Sequence, residues 1–126
     1  MIEARTRNLL AVTAVLEGAT GIVLVALPSS VATLLLGLSL ETAAESTLAR
    51  VAGFALVALG VACWFARHDG QSPASRGLVW GMLAYNAGVA MVFAWAAIAL
   101  ALHGIGLWPA VLAHAAMVAW CVTALR

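Results

Sequence analysis

Glu17, Arg50 and His114 are ionisable residues set within long apolar stretches, and Tyr85 and Asn86 are their uncharged polar companions. Inside a low-dielectric medium such groups carry a proton, hold a ligand, or hydrogen-bond one helix to another. A carboxylate at the centre of a bilayer costs on the order of several kcal/mol, so Glu17 needs a proton or a partner. Depth arithmetic suggests the partner. Glu17 lies nine residues into its apolar run from Asn8, roughly 13 Å at 1.5 Å per residue, and Asn86 lies nine residues into its own from Gly77. Both side chains lean toward the N-terminal ends of their helices, so a Glu17–Asn86 hydrogen bond with Tyr85 nearby is expected. Arg50 and His114 sit on chain segments of opposite direction and lean the other way. The expectation is therefore two polar sites: Glu17, Tyr85 and Asn86 at mid-depth, and Arg50 with His114 nearer the outer surface. Arg50 has two further outlets, phospholipid headgroups or the nearby Glu41 and Glu45.

Other chemistries lack the residues they need. A b-type haem wants two suitable axial ligands facing each other, but His68, His103 and His114 fall at different depths. No metal site and no cofactor is therefore expected. Cys63 and Cys121 form no C-x-x-C motif and are expected to pack as small apolar residues. The sequence holds no phosphate-binding glycine loop, no G-x-S-x-G and no Ser/His/Asp grouping. A non-enzymatic role is expected.

The elements that position these residues follow from composition. Of 126 residues, 65% are apolar and 9% charged, against about 25% charged in an ordinary soluble domain. Mean hydropathy is +1.08. A chain this small cannot hide so much apolar surface in one soluble core, and a net charge of +1 gives no footing for nucleic acid. The lipid bilayer is the expected partner. Four stretches approach the roughly 20 apolar residues a spanning helix needs: about 8–27, 46–66, 77–102 and 108–125. The first resembles a signal peptide in its leading Arg5 and Arg7, but it is too long for an apolar signal core and carries Glu17 at its centre. It is read as a span. The fold expected is all-α, an integral membrane four-helix bundle. A short interfacial helix at about 30–40 joins spans one and two, with Val31, Leu34, Leu35 and Leu38 at helical spacing and Ser29 or Ser30 as its cap.

All six basic residues are arginines. Four spans place Arg5, Arg7, Arg67, Arg76 and Arg126 on one side and Arg50 on the other. The positive-inside rule then puts both termini in the cytoplasm. Trp64, Trp80 and Trp120 fall near one set of helix ends and Trp95 and Trp108 near the other, the pattern of an aromatic belt.

Helices in lipid associate by close backbone approach at small residues. Gly77 and Gly81, continued by Ala84 and Gly88, form one such stripe; Ala14 with Gly18, Ala49 with Gly53, and Gly60 form others. This is more small-residue surface than one small bundle obviously needs, so other membrane subunits or a second copy of the chain are expected partners.

Leu16-Glu17-x-x-x-Gly21, Ala49-Arg50-Val51-Ala52-Gly53, Leu83-Ala84-Tyr85-Asn86, and Trp108-Pro109 with His114 together resemble the small four-helix bacterial membrane proteins of the DoxX-like kind. That resemblance implies a bacterial inner-membrane location. In layout the chain is also similar to the small multidrug-resistance transporters, which carry a Glu in helix one, though its charge bias and extra helix depart from them. Three roles follow as expectations. The foremost is a non-catalytic accessory or assembly subunit of a larger membrane complex. The others are a homo-oligomeric proton-coupled transporter using Glu17, and a binder of a lipid-like or quinone-like molecule between the helices.

Overall fold

The computed structural model describes residues 2–70 and 72–126, and among them all regular structure is helical. Five helices follow in order: α1 (Ile2–Ala26), α2 (Pro28–Leu36), α3 (Ala43–Ala66), α4 (Pro73–Ala99) and α5 (Leu107–Leu125). Four of them, all but α2, are long and apolar enough to cross a membrane. Their periphery is apolar too: Phe65 is 76% exposed, Ile98 74% and Leu48 69%. In water that surface would drive aggregation, whereas lipid solvates it. The helices are those of a membrane-embedded protein.

Local chemistry sets the helix ends. α3 begins with a capping box, in which Glu45 N–H donates to Thr42 Oγ1 and Glu45 Oε2 accepts from Thr42 N–H. α4 starts at Pro73 because Ser72 caps it through Ser75 N–H, four residues before the expected Gly77. It ends at Ala99, where Leu102 N–H turns back to Ala96 O and Ala101 takes a left-handed φ of 52°. α2 starts on Pro28, whose fixed φ suits the first helical position, with Leu27 before it and no side-chain cap. Ser29 and Ser30 therefore lie inside the helix instead of capping it. Gly37 closes α2 in the left-handed region at φ 76°.

The helices pack as two pairs, α1 on α3 and α4 on α5, with sparser contact between the pairs. The first pair is joined by small residues. A Cβ on Gly21 would lie 2.5 Å from Gly53 O, one on Gly53 2.8 Å from Gly21 O, and one on Gly60 3.0 Å from both Ala14 O and Gly18 N. Gly60 thus packs on the Ala14–Gly18 backbone and Gly53 on Gly21. The Gly77/Gly81/Gly88 stripe does not help close the bundle, because a Cβ at any of these three meets nothing within 4 Å. It faces outward, since α4 turns its Val79, Met82 and Asn86 side inward.

The pairs converge at the end that carries the termini, where Leu9, Leu10, Cys63, Val79, Met82, Cys121 and Ala124 form the core. Arg5 Nη1 donates to Thr123 O there. At the opposite end α2 lies across the bundle and is held by the α4–α5 loop. Gly106 N–H donates to Leu34 O at 2.8 Å, and Gly104 packs so closely that a Cβ would fall 2.2 Å from the Leu35 carbonyl carbon. Only glycine permits that approach.

Candidate functional site

Convergence at one end leaves space at the other. Between the pairs and beneath α2 lies a partly open cavity of about 380 Å³. All five helices line it. Leu24, Val31, Leu35, Leu56 and Phe93 supply apolar wall, while Thr20 and Tyr85 bring the hydroxyls. Its volume falls within the usual range of small-molecule sites, about 300–1,000 Å³.

Of the polar residues singled out in the sequence, Tyr85 lines this cavity, and Glu17 and His114 reach it only through their contacts with Tyr85. On α1 the spacing Leu10, Thr13, Glu17, Leu24 keeps one face turned to the bundle axis, which buries Thr13 and Glu17 almost completely. Tyr85 Oη donates to Glu17 Oε2 at 3.2 Å, tying α1 to α4. Thr13 Oγ1, one turn toward the N-terminus, has no protein partner among the described residues.

Asn86 is buried at 1% exposure and does not reach Glu17. Its Nδ2 donates to Met82 O at 2.8 Å, one turn back on its own helix, and its Oδ1 lies 2.7 Å from His114 Nδ1. The amide nitrogen being committed, Oδ1 must accept, so the proton sits on His114 Nδ1. In the uncharged ring this leaves Nε2 as an acceptor. The imidazole also stands edge-on to Tyr85, with ring centroids 5.7 Å apart, and to Phe93 at 6.2 Å. Glu17, Tyr85, His114 and Asn86 thus form one cluster at mid-depth.

His114 is therefore not paired with Arg50, and two of the expected pairings are corrected. Residue spacing along single helices does not say how far α4 and α5 are displaced along their axes. α4 has 27 residues and α5 only 19, a difference of roughly 12 Å, and the connecting loop turns back at Leu102 and ends on α2 through Gly106. His114 consequently enters deep enough to meet Asn86. Arg50 does point toward the α2 end, as expected, but its Nη1 donates to Val25 O at 2.8 Å. That carbonyl belongs to the last turn of α1, where helical carbonyls lack amide partners and the dipole favours a cation. Arg50 is a C-terminal cap for α1, and Glu45 is occupied in its own capping box.

Phe93 against His114, and the docking of the α4–α5 loop on α2, carried no signal in residue type. The strongest available one was Gly104-x-Gly106, two glycines in a loop that must touch something closely. Of the tryptophans, Trp64, Trp80, Trp95 and Trp108 are exposed at helix ends, whereas Trp120 packs against the core. Cys63 donates to Met82 Sδ at 3.5 Å inside that core, and Cys121 is buried there too. Among the described residues no group of three or more His, Cys, Asp or Glu side chains converges.

No protein-family model, curated protein or solved structure matches this chain. The functional reading rests on its own geometry.

Proposed function

We propose that the chain is a non-catalytic membrane protein that holds one lipid-like or quinone-like molecule between its two helix pairs. The observation that carries this reading is the cavity itself: apolar walls drawn from five helices, with hydroxyls from Thr20 and Tyr85 only. Few, well-placed polar groups in an apolar pocket are what orient a mostly hydrocarbon ligand. Tyr85 is fixed from behind by Glu17 and flanked by His114, so its phenol oxygen offers an accepting lone pair to the ligand's polar end. The cluster orients and does not react.

The test is native mass spectrometry after gentle extraction. The wild-type protein is expected to retain one apolar molecule in this cavity, and Ala110→Phe, which fills the cavity wall, is expected to carry one molecule fewer. A wild-type protein stripped bare under conditions that preserve the fold, or full retention by Ala110→Phe, refutes the reading.

A second reading, an accessory subunit of a larger membrane complex or a homo-oligomer, is supported by the outward Gly77/Gly81/Gly88 stripe. Such a stripe admits a neighbouring helix closely. Stoichiometric co-purification of another membrane chain, or a defined oligomer of this one, is the expected result; a monomer alone at native expression level refutes it. The membrane is proposed to be a bacterial inner membrane, as the DoxX-like resemblance implies. The crowding of five arginines at the end that carries the termini supports a cytoplasmic placement of that end.

A further inference from the structure

The end of the molecule that carries the termini has a second pocket, chemically unlike the cavity beneath α2. It measures about 310 Å³ and is lined by Glu3, Ala4, Arg7, Arg67, His68 and Gly70, which bring the start of α1 against the turn between α3 and α4. Arg67 is the C-cap residue of α3. Its guanidinium lies over the Trp64 ring, 3.6 Å from the centroid, and it donates to Trp64 O. One of its five N–H groups is thereby used and the plane is held by stacking, so the remaining donors are ready for a planar acceptor. Arg7 is exposed and makes no hydrogen bond or ion pair among the described residues. His68 is exposed at the rim.

Depth identifies what meets these donors. Arg67 ends a 24-residue apolar helix, and the half-exposed Trp64 indole marks the headgroup level. Two guanidinium groups at that level suit a phosphodiester, whose oxygens take paired N–H donors. Glu3 adds a feature that a plain anion site lacks: a carboxylate on the same pocket, beside Gly70. It repels a bare phosphate but accepts from an ammonium or hydroxyl attached one short link beyond it.

We infer that this pocket binds the headgroup of a phospholipid whose phosphate is followed by a hydrogen-bond donor, as in phosphoethanolamine or phosphoglycerol. Arg7 and Arg67 take the phosphate and Glu3 takes the donor. Choline, which has no donor, fits less well. The site is independent of the cavity beneath α2.

Native mass spectrometry of the full chain, titrated with phosphatidylethanolamine, phosphatidylglycerol, phosphatidylcholine or inorganic phosphate, tests this. The wild-type protein is expected to keep phosphatidylethanolamine or phosphatidylglycerol in clear preference to phosphatidylcholine. Arg7→Gln, at an exposed residue with no partner among the described residues, is expected to weaken that binding about fivefold, the usual worth of one basic residue at a lipid surface. Glu3→Ala, which removes the acceptor, is expected to erase the preference over phosphatidylcholine. Ala110→Phe, which fills the other cavity, is expected to leave this binding intact, so that failure of either reading is recognisable by itself. Circular dichroism confirms that each variant is folded. Equal binding by Arg7→Gln and wild type overturns the inference, as does a wild type indifferent to the headgroup. Inorganic phosphate that competes as well as lipid overturns it in favour of a free-anion site.

Discussion

Gly21→Ala and Gly81→Ala add the same methyl group to two spanning helices, and the structure gives them opposite surroundings. The new Cβ at Gly21 would sit 2.5 Å from Gly53 O and 2.8 Å from Val57 N, while that at Gly81 meets nothing within 4 Å. Ordinary contact begins near 3.4 Å, so α1 and α3 must separate by roughly 0.9 Å, the difference of those two distances. Backbone atoms on both sides leave no rotamer that escapes. Overpacking of this kind costs about 1–3 kcal/mol. The gain in helix propensity, about 1 kcal/mol, is common to both variants and cancels between them. The difference in unfolding free energy should therefore be about 1–3 kcal/mol, a factor of about 5 to 150 in the equilibrium constant. Gly60→Ala, whose nearest contacts would be 3.0 Å, should fall between. Equilibrium unfolding of the isolated chain in mixed micelles measures all three. If Gly21→Ala and Gly81→Ala unfold alike, the α1–α3 interface is not the close backbone crossing described above.

Two further substitutions test the polar contacts. Tyr85→Phe removes the donor to Glu17 while keeping the ring against His114, and should destabilise the bundle by about 1–2 kcal/mol through the buried carboxyl left unmatched; unchanged stability in the same unfolding assay would deny the bond. Arg50→Ala should loosen the last turn of α1 by about 1 kcal/mol, read as faster amide hydrogen exchange confined to that turn, whereas exchange equal to wild type would assign Arg50 to lipid headgroups.

Several features were legible before any coordinates. Four apolar stretches of spanning length became α1, α3, α4 and α5, because hydrocarbon leaves a backbone no alternative to internal hydrogen bonds. A short helix was expected at about 30–40 from Val31, Leu34, Leu35 and Leu38, whereas α2 runs from Pro28 to Leu36 and leaves Leu38 beyond its Gly37 cap. Ala14/Gly18 on the first span and Gly53/Gly60 on the second were each readable as contact surface, since small residues at this spacing have little other use in lipid. Glu17, Arg50, Tyr85, Asn86 and His114 were singled out as intramembrane polar residues on residue type and position alone, and four of them, all but Arg50, share one cluster.

Their pairing was not legible. Which polar atom meets which depends on how far each helix is displaced along its axis, and two helices of unequal length joined by a folded-back loop shift that register by several residues. One such shift moved His114 from Arg50 to Asn86 and left Tyr85 as the partner of Glu17. The direction of the Gly77/Gly81 stripe was equally hidden, because a stripe records that a face is smooth and not which neighbour it meets. The cavity has the same origin. Hydrophobicity and small-residue spacing act along one helix at a time and determined the spans, the turn chemistry and the candidate residues. Only the tertiary arrangement, in which two tight pairs converge at one end and splay beneath α2 at the other, decided which of those residues share a site.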